Sequence, residues 1–549
     1  MKRVLEARER AYGPEDPDTL KARGDLAHWT AQAGEAATAR DQLAGLLPVA
    51  ERVFGPEHRD TVWFRRELAW WTCEAGDAAA ARDQSVALVP LCERALGPEH
   101  PETLTVRQGL AAYTGRAGDA AAARDQSAAL VPVYQRVLGP EHTGTLGAQA
   151  NLAGWTGKAG DPAAARDLFA EILTVHERVF GPEHPDTLNT RRNVAAWTGE
   201  AGDLAAARDQ LAEVLPSYER ILGPEHPETL TTRDWLAGWT GEAGDAAGAR
   251  DQYAALLPVF ERVLGPEHPN TLNARHNLAL QTGEAGDPAA ARDLFAGLLP
   301  ARERVLGPEH PNTLLTRHEV AGWAGEAGDA AGARDQYAAL LPVFERVLGP
   351  EHPNTLDARA SRASRTGEAG DAAGARDQYA ALLPVLERAL GPEHPRALAA
   401  RASLASLTGE AGDAAGACDQ YAALLSVQER VVGREHPSLL ASRAEFVTWT
   451  GEAGDAAGAR EQYAALLPVL ERVLGPGHKR TLASRAEFAR WTGEAGDAAG
   501  ARDQYAALLP ILERVQGPEH PDTLSKYANL AYWTAEAGSA AGGPGSGAK

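Results

Sequence analysis

GPEHPETLTTRDWLAGWTGEAGDAAGARDQYAALLPVFERVL, residues 223–264, decides the fold, because nearly all of the 549-residue chain is a copy of it. Its opening glycine recurs every 42 residues from Gly13 to Gly517, with no insertion or deletion between copies. A fixed period of this size marks a solenoid or a propeller. A propeller blade needs four strands rich in β-branched residues, whereas this unit is dominated by Ala, Leu, Glu and Arg. Pairs of helices remain.

Pro227-Glu228-Thr229 opens a first helix, helix A, with Leu230, Leu236, Ala237 and Trp239 at mostly helical spacing, and Gly241-Glu242-Ala243-Gly244 stops it. Proline suits the first turn, where its missing N–H is not needed, and the acid beside it complements the helix dipole. Asp245 is placed to cap a second helix, helix B, whose apolar residues run from Tyr253 through Leu256, Leu257, Val259 and Phe260 to Val263. Gly265-Pro266 ends it.

The period also admits HEAT or armadillo units. Within the helix pair, Leu236-Ala237, Trp239, Gly244-Asp245, Ala249 and Tyr253 resemble the tetratricopeptide pattern of Leu-Gly, aromatic, Gly, Ala and aromatic. The longer unit, with a Gly-Pro-Glu-His-Pro linker and His-Pro-Asp/Glu-Thr before helix A, resembles the repeat of kinesin light chains and of similar bacterial arrays often attached to signalling ATPases. The resemblance covers residues 13 to about 538. It implies an all-α, right-handed superhelical solenoid of about 12.5 helix-turn-helix repeats, stacked on nearest neighbours as one elongated array. Two features depart from the pattern. The helix A aromatic sits one residue early, and a proline lies inside helix B in ten of twelve units, from Pro48 to Pro510. Because a mid-helix proline costs ~3 kcal/mol, a kink in every layer is expected.

Three regions follow. Residues 1–12 match the second half of a helix B without its helix A, residues 13–538 form the array, and the Gly/Ser/Ala-rich residues 539–549 are expected to be disordered. Both ends are half-units, so a longer array or end-to-end self-association is expected, with Tyr527, Leu530, Tyr532 and Trp533 of the last helix A partly exposed. The early copies vary, whereas copies from about residue 230 share long identical blocks, as recent duplication would leave.

The net charge of -21 arises from acids repeated in every copy and argues against nucleic acid or an anionic membrane as partner. Cys73, Cys92 and Cys418 lack metal-ligand spacing and read as structural thiols. Without a signal peptide, a membrane-spanning run or a lipidation motif, and with Arg in excess over Lys, the expected setting is cytoplasmic and bacterial. No phosphate loop, His-Glu-x-x-His or Gly-x-Ser-x-Gly motif occurs, and the carboxylates are placed alike in each layer. The chain reads as a non-enzyme without cofactor or metal.

Three columns run through the copies. A histidine, from His58 to His520, reads as a linker residue near the start of helix A and not as a metal ladder, since stacked layers lie about 8–10 Å apart. An arginine, such as Arg233 and Arg359, reads as pairing with an acid of a neighbouring helix, the alternative being an anion-binding track. The Trp239 column reads as core. In the ninth layer Arg362 takes the Leu position and Arg365 the Trp position, and an uncompensated buried guanidinium would make this the weakest point.

The tetratricopeptide resemblance places a ligand groove on helix A, at one, two and five residues before the column of Leu68 and Leu236 and two after it. Large or polar residues stand there in the early layers: Trp63, Arg66, Glu67, Trp70, Asn151, Arg192, Asn193, Asp234, Trp235, His276, Asn277, His318 and Glu319. Asn151, Asn193 and Asn277 match a groove Asn that holds peptide backbone in kinesin light chains. Later layers carry mostly Ala and Ser, with Glu445, Glu487 and Arg490 as exceptions. The resulting expectation is a scaffold that holds a protein or peptide segment along residues 55–348, with residues 349–516 as spacer. Neutral drift in old copies explains the same pattern. A regulatory module of a multi-component ATPase or defence system and a self-associating filament are the other readings.

Overall fold

The computed structural model of the chain describes residues 2–32 and 36–541. The chain forms two compact units, Met1–Gln281 and Thr282–Lys549. Among the described residues there are 26 helices and no strand.

The repeat is built as its residues dictate. Helix A of the defining copy spans Pro227–Glu242 and helix B spans Ala246–Val263. His226 is the N-cap of helix A, its Nδ1 accepting the Glu228 N–H at 3.2 Å. The same bond recurs from His58 to His520, so the histidine column satisfies a backbone donor that would otherwise be orphaned. Asp245 caps helix B by accepting the Gly248 N–H at 2.8 Å. The buried Thr229 hydroxyl donates to the Gly223 carbonyl at 2.8 Å and ties the end of one helix B to the start of the next helix A. Gly223 adopts φ 97°, a left-handed conformation that favours glycine.

Within the layer Leu230, Ala237, Tyr253, Leu256 and Phe260 form a buried cluster with Ala274 of the following helix. Between layers, the helix A tryptophan lies on the glycine two residues past the tryptophan of the preceding helix A. A Cβ built on Gly157 would meet the Trp197 ring at 2.2 Å, and one on Gly451 would meet Trp491 at 2.6 Å. This glycine is therefore not only a stop signal: helix A continues through Gly241 to Glu242, and the missing side chain lets the next helix approach. Trp71, Trp491 and Trp533 are buried, Trp155, Trp197, Trp239, Trp323 and Trp449 are half-buried, and Trp29 is exposed.

The arginine column pairs with the glutamate 14 residues earlier, on the preceding helix B, as in Arg233–Glu219 and Arg359–Glu345, both at 2.6 Å. A second ladder joins the end of helix B to the previous linker, as in Arg262–Glu225 at 2.6 Å. Helix B runs unbroken through its exposed proline, Pro258 lying inside Ala246–Val263. Where Thr174 or Ser426 replaces it, the hydroxyl bonds the carbonyl of Ala170 at 3.1 Å or Ala423 at 2.7 Å. Pro258 faces outward, where the carbonyl it leaves unpaired meets water.

In the ninth layer the helix Pro353–Glu368 keeps its full length. Arg365 occupies the tryptophan slot over Gly325 and is paired at 2.6 Å with both Glu326 and Glu368. Arg362 lines a cavity of about 480 Å³ beside Glu345 and Arg359. The uncompensated charge expected for Arg365 does not arise, because two carboxylates meet it.

The last helix, Pro521–Ala541, is longer than expected: Ser539, Ala540 and Ala541 are helical, and the rest of the expected tail, residues 542–549, lies outside the described residues. Leu524, Tyr527 and Tyr532 are exposed, but Trp533 is buried, because its ring lies against Gly493 of the preceding helix A. Lys2–Tyr12 is helical.

Candidate functional site

In the first unit, the helices Arg59–Glu74, Pro101–Arg116 and Thr143–Lys158 enclose a cavity of about 430 Å³. Arg66, Glu67, Trp70, Gln108, Tyr113 and Asn151 are among its walls. Four expected groove residues thus come together from two helices. Trp70 is 45% exposed and presents its ring to solvent. Trp63 and Arg66 line a space of about 350 Å³ with Arg59, Asp60 and Glu102.

The polar groups of this cavity are partly engaged. Glu67 accepts from Trp71 Nε1 at 3.3 Å, meets His28 Nδ1 at 3.0 Å and Arg66 at 3.4 Å. Gln108 accepts from the Tyr134 hydroxyl at 2.9 Å, and Arg116 pairs with Glu74 at 2.6 Å. Burial pushes the Tyr113 hydroxyl above its ordinary pKa, so it stays a donor. Gly109 supplies room, since a Cβ there would meet nothing nearer than Tyr113 at 3.5 Å.

The other expected residues of the first unit are placed differently. Arg192 is 8% exposed; it pairs with Glu228, donates to Asn189 Oδ1 at 2.8 Å and stacks 5.0 Å from the Trp235 ring centre. Arg192 and Trp235 therefore brace neighbouring helices and do not stand free in a groove. Asn193 and His276 are half-buried. Asn277 donates to the Tyr253 hydroxyl at 3.1 Å, which in turn donates to the Asp234 carbonyl at 3.1 Å. The half-buried Asp234 carboxyl is pushed up to about 6 by burial.

In the second unit, His318 lies against the Tyr337 ring at 5.0 Å, and burial lowers its pKa. Glu319 accepts from Trp323 Nε1 at 3.1 Å, and burial raises its pKa. A separate cavity of about 430 Å³ lies between Pro437–Glu452, Lys479–Glu494 and Pro521–Ala541. The groove register supplies Ala444, Glu445, Thr448, Ala486 and Glu487 to its walls. Sequence reasoning passed over Gln108, Gly109 and Tyr113 in the first cavity, and Lys479, Arg480 and Lys526 in the second. One signal was present: the linker Gly475-Pro-Gly-His-Lys-Arg480 lacks the usual linker glutamate and carries two adjacent bases.

Among the described residues no group of three or more His, Cys, Asp or Glu could hold a metal ion. No described helix is long and apolar enough to cross a membrane.

A tetratricopeptide-repeat family model matches residues 145–220 and 229–296, and a second matches residues 19–60, 61–102, 313–354 and 397–438. Together they span more than half of the chain. The chain belongs to the tetratricopeptide-repeat family. No curated protein matches it. This tetratricopeptide-repeat chain is similar to the solved repeats of a putative kinesin light chain from Podosopora anserina, at 23% identity over 38% of this chain and 98% of that one, with a TM-score of 0.35. It is also similar to BtubC (BKLC) from P. vanneervenii, at 17% identity over 45% and 92% of the two chains and a TM-score of 0.35. A third similar structure is the apo form of RapI, at 11% identity over 68% and 99%, with a TM-score of 0.49.

Proposed function

We propose that this protein is a non-catalytic scaffold of the cytoplasm that holds a peptide or protein segment on its helix A face, without nucleic acid, membrane or cofactor. The observation that carries the reading is the convergence of Arg66, Glu67, Trp70 and Asn151 on one cavity of about 430 Å³. An exposed tryptophan beside an arginine and unspent amide groups can anchor a partner, because aromatic and arginine side chains supply most binding hot spots at ~2 kcal/mol or more each. Asn151 can bond a peptide backbone in the way its counterpart does in the related repeats. Lattice contacts take Arg192 and Trp235 out of the anchoring set, so the first layers are the principal holding region.

Capture with the intact chain, read by mass spectrometry, names the partner. Trp63→Ala combined with Trp70→Ala is then expected to weaken binding by ~2 kcal/mol or more, while Ser364→Arg and Ser406→Arg leave it unchanged. Binding lost through the serine variants and kept through the tryptophan variants would overturn the assignment.

A further inference from the structure

At the register position of Leu68 and Leu236, every copy from Leu26 to Leu530 carries Leu, Val or Phe, except the ninth, which carries Arg362. Its helix A, Pro353–Glu368, is flanked by two helices B, Ala330–Val347 and Ala372–Leu390. Three residues on, Arg365 is met by Glu326 and Glu368. Arg362 is half-buried, its Nε is buried without a hydrogen-bond partner, and no carboxylate among the described residues is paired with it. Glu345 beside it is already spent, since Arg359 donates to it through Nε at 3.2 Å and Nη2 at 2.6 Å. A guanidinium withdrawn from water without a partner is unfavourable, yet the helix keeps its full length around this one.

The cavity of about 480 Å³ that Arg362 lines takes its walls from all three of these helices. None of the groove positions of this layer, Asp357, Ala360, Ser361 and Ser364, is among its lining residues, so it is separate from the helix A groove. The first unit has the equivalent space in its fifth layer, about 400 Å³ between Pro162–Phe180, Pro185–Glu200 and Leu204–Ile221. There Val194 takes the place of Arg362, and Glu213 that of Ala381. The fifth-layer lining sets Arg191 against Glu177 and Glu213, whereas the ninth sets Arg359 and Arg362 against Glu345. These two exchanges turn an excess of one negative charge into an excess of one positive charge. Such conflicts between local rule and fold concentrate at functional sites.

We propose that the ninth-layer cavity binds a carboxylate, supplied by an aspartate or glutamate side chain of a partner protein that lies across the two helices B. The unpaired guanidinium presents N–H donors in a fork that matches the two oxygens of a carboxylate. One uncompensated positive charge suits one negative charge, and Glu345 in the same lining repels a ligand that carries more. The apolar edges at Leu341, Pro342 and Leu382 favour a side chain with apolar neighbours over a bare ion, because burying methylene groups is favourable. The site is independent of the first unit's cavity, and it makes this part of the array more than a spacer.

The test uses the full chain and calorimetric titration with the capped tripeptide acetyl-Leu-Glu-Leu-amide, its Gln analogue, acetate and inorganic phosphate. The Glu peptide is expected to bind at least tenfold more tightly than the Gln peptide, and more tightly than either small anion. Arg362→Leu, which restores the residue of other copies, should abolish that preference and raise the unfolding midpoint. Ala381→Glu, which supplies the acid of the fifth layer from within, should abolish it as well. Trp70→Ala should leave it intact, which separates this site from the first cavity. Equal binding of the two peptides, a preference that survives Arg362→Leu or Ala381→Glu, or one lost with Trp70→Ala overturns the proposal. A lowered midpoint for Arg362→Leu also overturns it, since the guanidinium would then be satisfied within the fold. Acetate or phosphate binding as tightly as the Glu peptide does so too, since the ligand would then be a free anion.

Discussion

The cavity at Arg59–Glu74, Pro101–Arg116 and Thr143–Lys158 and the one at Pro437–Glu452, Lys479–Glu494 and Pro521–Ala541 share several register positions and have the same volume, about 430 Å³. Their surrounding lattice is the same as well: Leu104 and Leu482 are 0% and 2% exposed, and Ala111 and Ala489 are 1% and 0% exposed. Their contents differ. The first presents Trp70, Gln108 and Tyr113, whereas the second presents alanines with charges of both signs, Lys479, Arg480 and Lys526 beside Glu445, Glu487 and Asp522. The columns that hold the layers together are largely shared by the two regions, whereas the positions between them differ, and those positions set most of what each cavity presents.

The largest effect expected from this division is on the shared lattice. Gly157→Val and Gly451→Val should each destabilise by ~3 kcal/mol, because a side chain there collides with Trp197 or Trp491 at 2.2 or 2.6 Å and must force the layers apart. Denaturant midpoints would show it. A large cost for one substitution and none for the other would mean that the two regions do not share a lattice.

A smaller effect separates regions by charge. The position two residues before the Leu column is Asp234 in the first unit but Ala444 and Ala486 around the second cavity. The Asp234 carboxyl is raised from 3.8 to about 6 by burial, so its ionised form opposes folding. The stability it permits is complete below its ordinary value and is lost as pH rises through about 6. Asp234→Asn should therefore gain ~1–2 kcal/mol over the parent at neutral pH and converge with it in acid, after allowing for water at a half-buried site. Superimposable pH profiles would show that the carboxyl is not desolvated.

Gly109 sharpens the contrast with Gly157, since both are helical glycines but a Cβ at Gly109 would meet only Tyr113, at an ordinary contact distance of 3.5 Å. Gly109→Ala should raise stability by ~0.5–1 kcal/mol through helix propensity, and a lowered midpoint would mean that the first cavity is closed at that point. The smallest effect belongs to the outer ladder. Arg262 and Glu225 are 59% and 49% exposed, and a double-mutant cycle on Arg262→Ala and Glu225→Ala should return a coupling of at most ~0.5 kcal/mol. A larger coupling would make the ladder part of what holds the layers.

Much of this was legible in the residues. The period of 42, helix A from Pro227, the Asp245 cap, the Gly265 stop and the pairing of Arg233 with an acid of a neighbouring helix all follow from sequence spacing. Each depends on groups within one helix or one turn, or on a contact repeated in register, and periodicity displays both. Trp70 and Asn151, both singled out in the sequence, line one cavity.

Only the tertiary structure decided which of those groove side chains are already spent. Arg192 looks like a free anchor in the sequence, yet Glu228 and Trp235, 36 and 43 positions away, hold it. Arg365 looks like an uncompensated charge until Glu326 and Glu368 close on it. Trp533 looks bare at the end of the array until Gly493 of the preceding layer covers it. In every case the deciding neighbour lies across a layer boundary or is fixed by helix packing. The sequence determined the layers because each helix is a local object, while the fold decided the site because satisfaction of a charge or an apolar face depends on what the next layer brings beside it.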